Sequence, residues 1–365
     1  MEFMGVLEPE DSPKELMWYA FVPGGTAPSP RVGHTCMYLP GEKEGGKGRI
    51  VVVGGADPGS CYSDCYIINL DTYEWECPDW EGLLPRYEHA SFITAGNPGS
   101  IWVFGGANQA ENRNTVQVLN PGSRCWKSPK IDGSPPSPRT FHTSSAAVGN
   151  KLFVFGGGEK GADPVVDQRL HVFDADNLTW TQPETSGVPP KPRHGHILVA
   201  VGTKLYVHGG MAGSTFFKDL FCIDTETMKW KEQSVKGDTP PACAAHAAVS
   251  WEKYIYIFGG VNETGPISTM HRYDTGNRTW TLIMFDSPSP AARLDHSMCL
   301  LPWRVRTNHS DLDSEQDKVT EEGGTNDSQG HSSGKSSQVV LCLVFGGMDT
   351  CGELYNDCSV TVLTK

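Results

Sequence analysis

Short apolar runs alternate with polar, glycine-rich and proline-rich stretches along this chain, and six of the runs stop on a glycine pair. VVV ends on Gly54-Gly55, WVF on Gly105-Gly106 and FVF on Gly156-Gly157. YVH ends on Gly209-Gly210, YIF on Gly259-Gly260 and LVF on Gly346-Gly347. Runs of this length between turn residues predict strands, and no long stretch shows a helical period. From first glycine to first glycine the steps are 51, 51, 53, 50 and 87 residues. A period near 50 predicts a repeat architecture, in which each unit needs its neighbours.

Two further landmarks keep the register. A tryptophan follows the first glycine by 21 residues in four repeats and by 24 in the third: Trp75, Trp126, Trp180, Trp230 and Trp280. An Arg-x-x-His element precedes the pair: Arg31/His34, Arg86/His89, Arg139/His142, Arg193/His196 and Arg293/His296. The fifth repeat keeps His246 but carries Cys243 in place of the arginine. This combination resembles the kelch repeat, which implies an all-β, six-bladed β-propeller with four strands to a blade.

Each landmark has a physical reason. A strand that turns sharply needs residues without a Cβ, which Gly-Gly supplies. The tryptophan falls in the last strand of its blade, where it fills the wedge between blades. A ring of roughly 200 Å² buried at about 25 cal/mol per Å² gives an upper figure of about 5 kcal/mol. The sixth repeat has no such tryptophan, because 21 residues beyond Gly346 lies past Lys365. Trp18 has no repeat of its own before it, so the N-terminal strand is expected to supply the outer strand of blade six. Closure of this kind removes an open sheet edge.

The expected organisation is a flexible lead over 1–15, a closing strand within 16–27, and one propeller over 16–365. Blades one to five cover about 30–82, 83–135, 136–189, 190–240 and 241–290, and blade six about 291–365. A Gly/Lys/Glu loop, 41–48, separates the first two strands of blade one. Proline-rich links such as GSPPSPR fall between blades, where a ladder donor is not wanted. Blade six carries an excess of 36 or 37 residues between His296 and Gly346. That insertion, 304–338, is rich in Asp, Glu, Ser and Gly and is expected to be a disordered loop.

Composition narrows the functional classes. Gly 41 and Pro 26 suit turn-dense β structure. Net charge is −13, from 30 basic and 43 acidic residues. With no basic run, nucleic acid and anionic lipid are poor partners, whereas a basic patch on a protein would be attracted. Eleven cysteines without a C-x-x-C read as free thiols in a reducing compartment.

Six of the twelve histidines sit in the Arg-x-x-His register or its relic, and a group repeated once per blade reads as framework rather than as a catalytic residue. The arginines offer two readings: pairing with carboxylates between blades, or a basic ring at the channel mouth holding a partner's carboxylate. The residues beside them vary, and aromatic and arginine side chains most often anchor interfaces. Arg86, Tyr87, Arg139, Phe141 and Arg193 are therefore the candidate partner-binding residues. Asp163, Asp167 and His171 stand four apart, and this spacing resembles the iron element of the kelch nitrile-specifier proteins. It supports a metal-dependent kelch enzyme as an alternative function. Asp167 also matches the repeat positions Asp64, Asp219 and Asp357, so no metal or cofactor is expected there.

Longer strings resemble one group within the kelch proteins. LLPRYEHASF, IWVFGGANQ, SPRTFHTSSAA, LHVFDADNLTW, PRHGH, RLDHSMC and LCLVFGGM are similar to the kelch-motif effectors of Rab GTPases. The resemblance implies a non-enzymatic, cytoplasmic protein, peripheral on endosomal membranes. It would bind the GTP-bound late-endosomal Rab GTPase (Rab nine) and promote transport to the trans-Golgi network. Contact with an endosomal phosphoinositide kinase is implied as well. The remaining alternative is a generic adaptor, such as a ubiquitin-ligase substrate receptor.

Overall fold

In the computed structural model, residues 4–365 are described except 42, 141, 144–145 and 306–336. Six sheets, each built on four antiparallel strands, follow one another around a channel, with the first of the four nearest the channel. Blade one shows the pattern: Thr35–Leu39 pairs with Arg49–Val53, which pairs with Cys65–Asn69, which pairs with Glu74–Glu76. The expected six-bladed kelch propeller is the fold.

The N-terminal strand closes the ring. Trp18–Phe21 pairs antiparallel with Cys358–Val362, in a register that sets Trp18 opposite Thr361 and Phe21 opposite Cys358. The chain then crosses to blade one, where Gly24–Gly25 lies parallel to Glu74–Glu76. Asp132–Gly133 and Lys236–Gly237 repeat that crossing, pairing parallel with the Trp180 and Trp280 strands. The links into blades one, three and five therefore each add a short fifth strand to the blade they enter, which the proline pattern did not reveal. Only glycine fits there: at Gly133, φ is +80° and a Cβ would stand 2.2 Å from the Trp180 carbonyl oxygen.

Two expected boundaries move. The N-terminal lead is tied down, because Gly5–Val6 pairs with Tyr19–Ala20 and Leu7 is buried. The insertion is narrower than 304–338, since Arg304 pairs with Gln338 and Val305 with Ser337 as the ends of one long hairpin. The rest of that expectation, 306–336, lies outside the described residues.

All six landmark tryptophans, Trp18 included, are buried. Each packs on the residue that precedes Gly-Gly in the preceding blade. Trp75 lies 5.6 Å from Phe345, Trp180 4.8 Å from Phe104, Trp230 5.1 Å from Phe155 and Trp18 5.3 Å from Phe258. Trp126 shares a cluster with Val53 in the same way, and Trp280 covers His208 at 5.2 Å. The wedge role inferred from spacing is the role the rings play.

Backbone bonds at the glycine pairs join the blades. The second glycine donates its N–H to the carbonyl of the Arg-x-x-His arginine in the next blade: Gly55 to Arg86 at 2.9 Å, Gly106 to Arg139 at 3.1 Å. Gly347 donates to Arg31 at 3.0 Å and so completes the circle across the chain termini. A Cβ on Gly106 would fall 2.4 Å from the Tyr87 carbonyl oxygen, which explains the glycine.

Candidate interaction face

Antiparallel pairing sets the start of each inner strand beside the end of the second strand, as Thr35 beside Val53. The Arg-x-x-His elements, the loops after Gly-Gly and the inter-blade links therefore share one face. The opposite face holds the hairpins between first and second strands, including the Val305–Ser337 end of the paired strands in blade six.

On the shared face the arginines point inward. Arg86, Arg139 and Arg193 have no exposed surface, and Arg31 and Arg293 only 1%. Each donates from Nη1 to the first-glycine carbonyl of its own blade, over 2.9–3.1 Å: Arg31 to Gly54, Arg86 to Gly105, Arg139 to Gly156, Arg193 to Gly209 and Arg293 to Gly346. A carboxylate answers most of them: Asp64 for Arg31 at 2.7 Å, Asp357 for Arg293 at 2.8 Å and Asp219 for Arg193. Asp167 lies 3.6 Å from Arg139, and Arg86 instead meets Gln117 Oε1 at 2.8 Å.

This corrects the expectation for Arg86, Arg139 and Arg193. They bind their own blade, not a partner, because an interior guanidinium must have its donors and charge satisfied. The pairing carboxylates also lie within the blade rather than between blades. Tyr87 does reach the face half-buried, its backbone paired with Ala107. Phe141 lies outside the described residues.

The channel mouth is acidic, not basic. Among the described residues, those before the framework histidines are left-handed: Gly33, Glu88, Gly195, Ala245 and Asp295, with φ between 51° and 63°. They bond head to tail, Glu88 N to Gly33 O, Gly33 N to Asp295 O and Asp295 N to Ala245 O. Glu88 and Asp295 thereby flank Gly33 at the mouth of a cavity of about 340 Å³. Burial and the facing Asp295 push the Glu88 carboxyl well above the usual carboxylate range, and burial raises Asp295 as well.

The candidate metal triplet does not converge. His171 Nε2 lies 2.6 Å from Asp167 Oδ2, and Arg169 Nε donates to the other oxygen at 2.9 Å. Burial alone would raise the Asp167 carboxyl, yet the bonds from Arg169 and His171 hold it below its ordinary range. Asp163 is exposed on a separate two-residue strand. The Asp167–His171 pair is satisfied by protein groups, with Gln182 on the far imidazole nitrogen at 3.0 Å.

Beyond Tyr87, side chains from the loops after Gly-Gly occupy this face. Val166 is 82% exposed, and Phe216 is half-buried in the neighbouring blade's loop. The strands beside them, Asp163–Pro164 and Met211–Ala212, touch each other. Sequence reasoning missed Val166 and Phe216, because isolated apolar residues in loops carry no periodic signal.

The KLHDC2/KLHL20/DRC7 Kelch-repeats domain matches residues 12–160, 46–260 and 101–306. The chain belongs to the kelch-repeat family. Within it, a Xenopus laevis relative described as Rab9 effector protein with kelch motifs is 62% identical over 365 residues, covering both chains fully. Relatives of the same description from Mus musculus and Homo sapiens are 56% and 53% identical, each over 371 residues and the whole of this chain, covering 98% and 100% of their own. Family membership accounts for the propeller, the glycine pairs and the tryptophan wedges, all framework features.

Proposed function

We propose that this propeller is a non-enzymatic effector of a Rab GTPase, binding Rab9 in its GTP-bound state. The observation that carries this reading is the end-to-end similarity, at 62% identity, to a protein described as a Rab9 effector. The face bearing Tyr87, Val166 and Phe216 is the surface assigned to the partner. Propeller strands are committed to the core, so loops at one mouth are free to bind. In this role the protein is cytoplasmic, reaches endosomal membranes through its partners, and promotes transport from endosomes to the trans-Golgi network. An endosomal phosphoinositide kinase is a second partner under the same reading.

A pull-down with immobilised Rab9, loaded with a non-hydrolysable GTP analogue or with GDP, tests the proposal. Retention on the GTP form alone is expected. Equal retention on both forms, or on neither, overturns it.

A further inference from the structure

At the seam between blades four and five the chain departs from its own repeat. The residue before Gly-Gly is Phe or Val in five blades, but His208 in blade four. The blade-entry arginine is Cys243 in blade five, and Thr269 stands where Asp64 and Asp219 stand. The arginine–aspartate pair that anchors blades one, three, four and six is therefore missing here.

The structure brings the departures together around the framework histidine. His34 and His196 direct Nε2 to the Phe345 and Phe155 carbonyls of the preceding blade, at 3.2 and 2.9 Å. His246 instead meets the Nδ1 of His208 at 3.1 Å, and Cys243 Sγ lies 3.7 Å from its Nδ1. His208, Cys243 and His246 each offer a ligand atom, all within 4.8 Å of one another. All three are at most 2% exposed. His208 Nε2 is buried without a hydrogen-bond partner, as are His34 Nδ1 and both ring nitrogens of His296, so what sets this seam apart is the meeting of His208, Cys243 and His246.

We propose that His208, Cys243 and His246 form a buried site for a soft, monovalent transition-metal ion, copper(I). A thiolate selects copper(I) or zinc, and imidazole suits both ions. Structural zinc is almost always four-coordinate, and only three ligands converge here. Charge decides in the same direction. One thiolate and a monovalent ion make a neutral centre, whereas a divalent ion would leave a buried positive charge near Arg193. A cysteine thiol ordinarily keeps its proton near neutral pH, so metal binding must displace it. Binding forms one copper–sulfur and two copper–nitrogen bonds, and the displaced thiol proton leaves to solvent with no change in oxidation state. His246 lines the central cavity, which supplies the way in.

The test uses the full chain, reduced and stripped with a chelator, titrated anaerobically with copper(I) against a chromophoric copper(I) chelator. One equivalent bound with release of one proton is expected. Cys243→Ser and His208→Phe, the second restoring the repeat's own residue, should each weaken that binding by about a hundredfold or more. Cys351→Ser, at an exposed thiol, should bind as wild type. Unchanged binding in both seam variants, an equal loss in Cys351→Ser, or one equivalent of zinc taken in preference to copper would overturn the assignment.

Discussion

The indole of Trp18 packs 5.3 Å from the ring of Phe258, although 240 residues separate them in sequence. Blade five thus receives from the N-terminus the wedge that other blades receive from the repeat that follows. Trp18 has no exposed surface, its backbone N–H is held by Ser287 Oγ at 2.7 Å, and Phe285 flanks it at 5.2 Å.

Trp18→Ala should therefore cost about 3–5 kcal/mol of folding stability, the range for emptying a large aromatic site. Removing residues 1–22 should cost at least as much, because blade six also loses its fourth strand. Removing only 1–12 should give an intermediate loss of about 1.5–3 kcal/mol, chiefly from Leu7. Urea denaturation of the three variants checks the order, and equal midpoints for both truncations would refute closure by the Trp18 strand.

Arg193→Ala should destabilise the fold by about 3–5 kcal/mol, since it leaves Asp219 and the Gly209 carbonyl without their partner. Chemical denaturation measures this directly. A variant of wild-type stability with weakened Rab binding would return Arg193 to the surface role.

Tyr87→Ala and Val166→Asp should each weaken binding of the GTP-bound Rab by about 1 kcal/mol or more, with little change in melting temperature. Calorimetry of the folded variants is the measurement. Unchanged affinity in both would move the interface to the other face or the blade rims.

Stability should also carry the mark of Glu88 and Asp295. Their folded pKa values are raised, so between about 4 and neutrality the native state holds protons that the unfolded chain has released. Stability from this pair is present at the acid end and is lost as pH rises through the window. The buried, neutral His34, His246 and His296 act oppositely: their pKa values are lowered, and their contribution is lost as pH falls below about 6.5. Glu88→Gln removes the Glu88 share of the first effect and leaves the histidines untouched, so its gain over wild type should grow from pH 4.5 to pH 7.5. A constant difference across that range would show that the pair is not coupled through burial.

Blade number, strand order and ring closure were legible in the sequence, because each rests on a local requirement repeated at a fixed period. Gly106 takes a left-handed φ of +82° that favours glycine, and Trp75, Trp180 and Trp230 announce the wedge by their spacing from Gly-Gly. Even the missing sixth tryptophan pointed to Trp18. Periodicity is silent on direction, however. Arg86, Arg139 and Arg193 recur like surface anchors but turn inward, because each guanidinium is the right length to reach its own blade's glycine carbonyl.

Relationships between distant positions were decided only by the closed ring. Glu88 and Asp295 become neighbours because Gly33, after closure, stands between them. His208, Cys243 and His246 were each visible as positions in the repeat, two of them as departures from it. Their convergence needed the seam between blades four and five, where a histidine from one blade reaches the residue before Gly-Gly in another. The sequence alone determined the units and their number; the tertiary structure decided which side chains meet, because packing around a ring joins residues that no local rule relates.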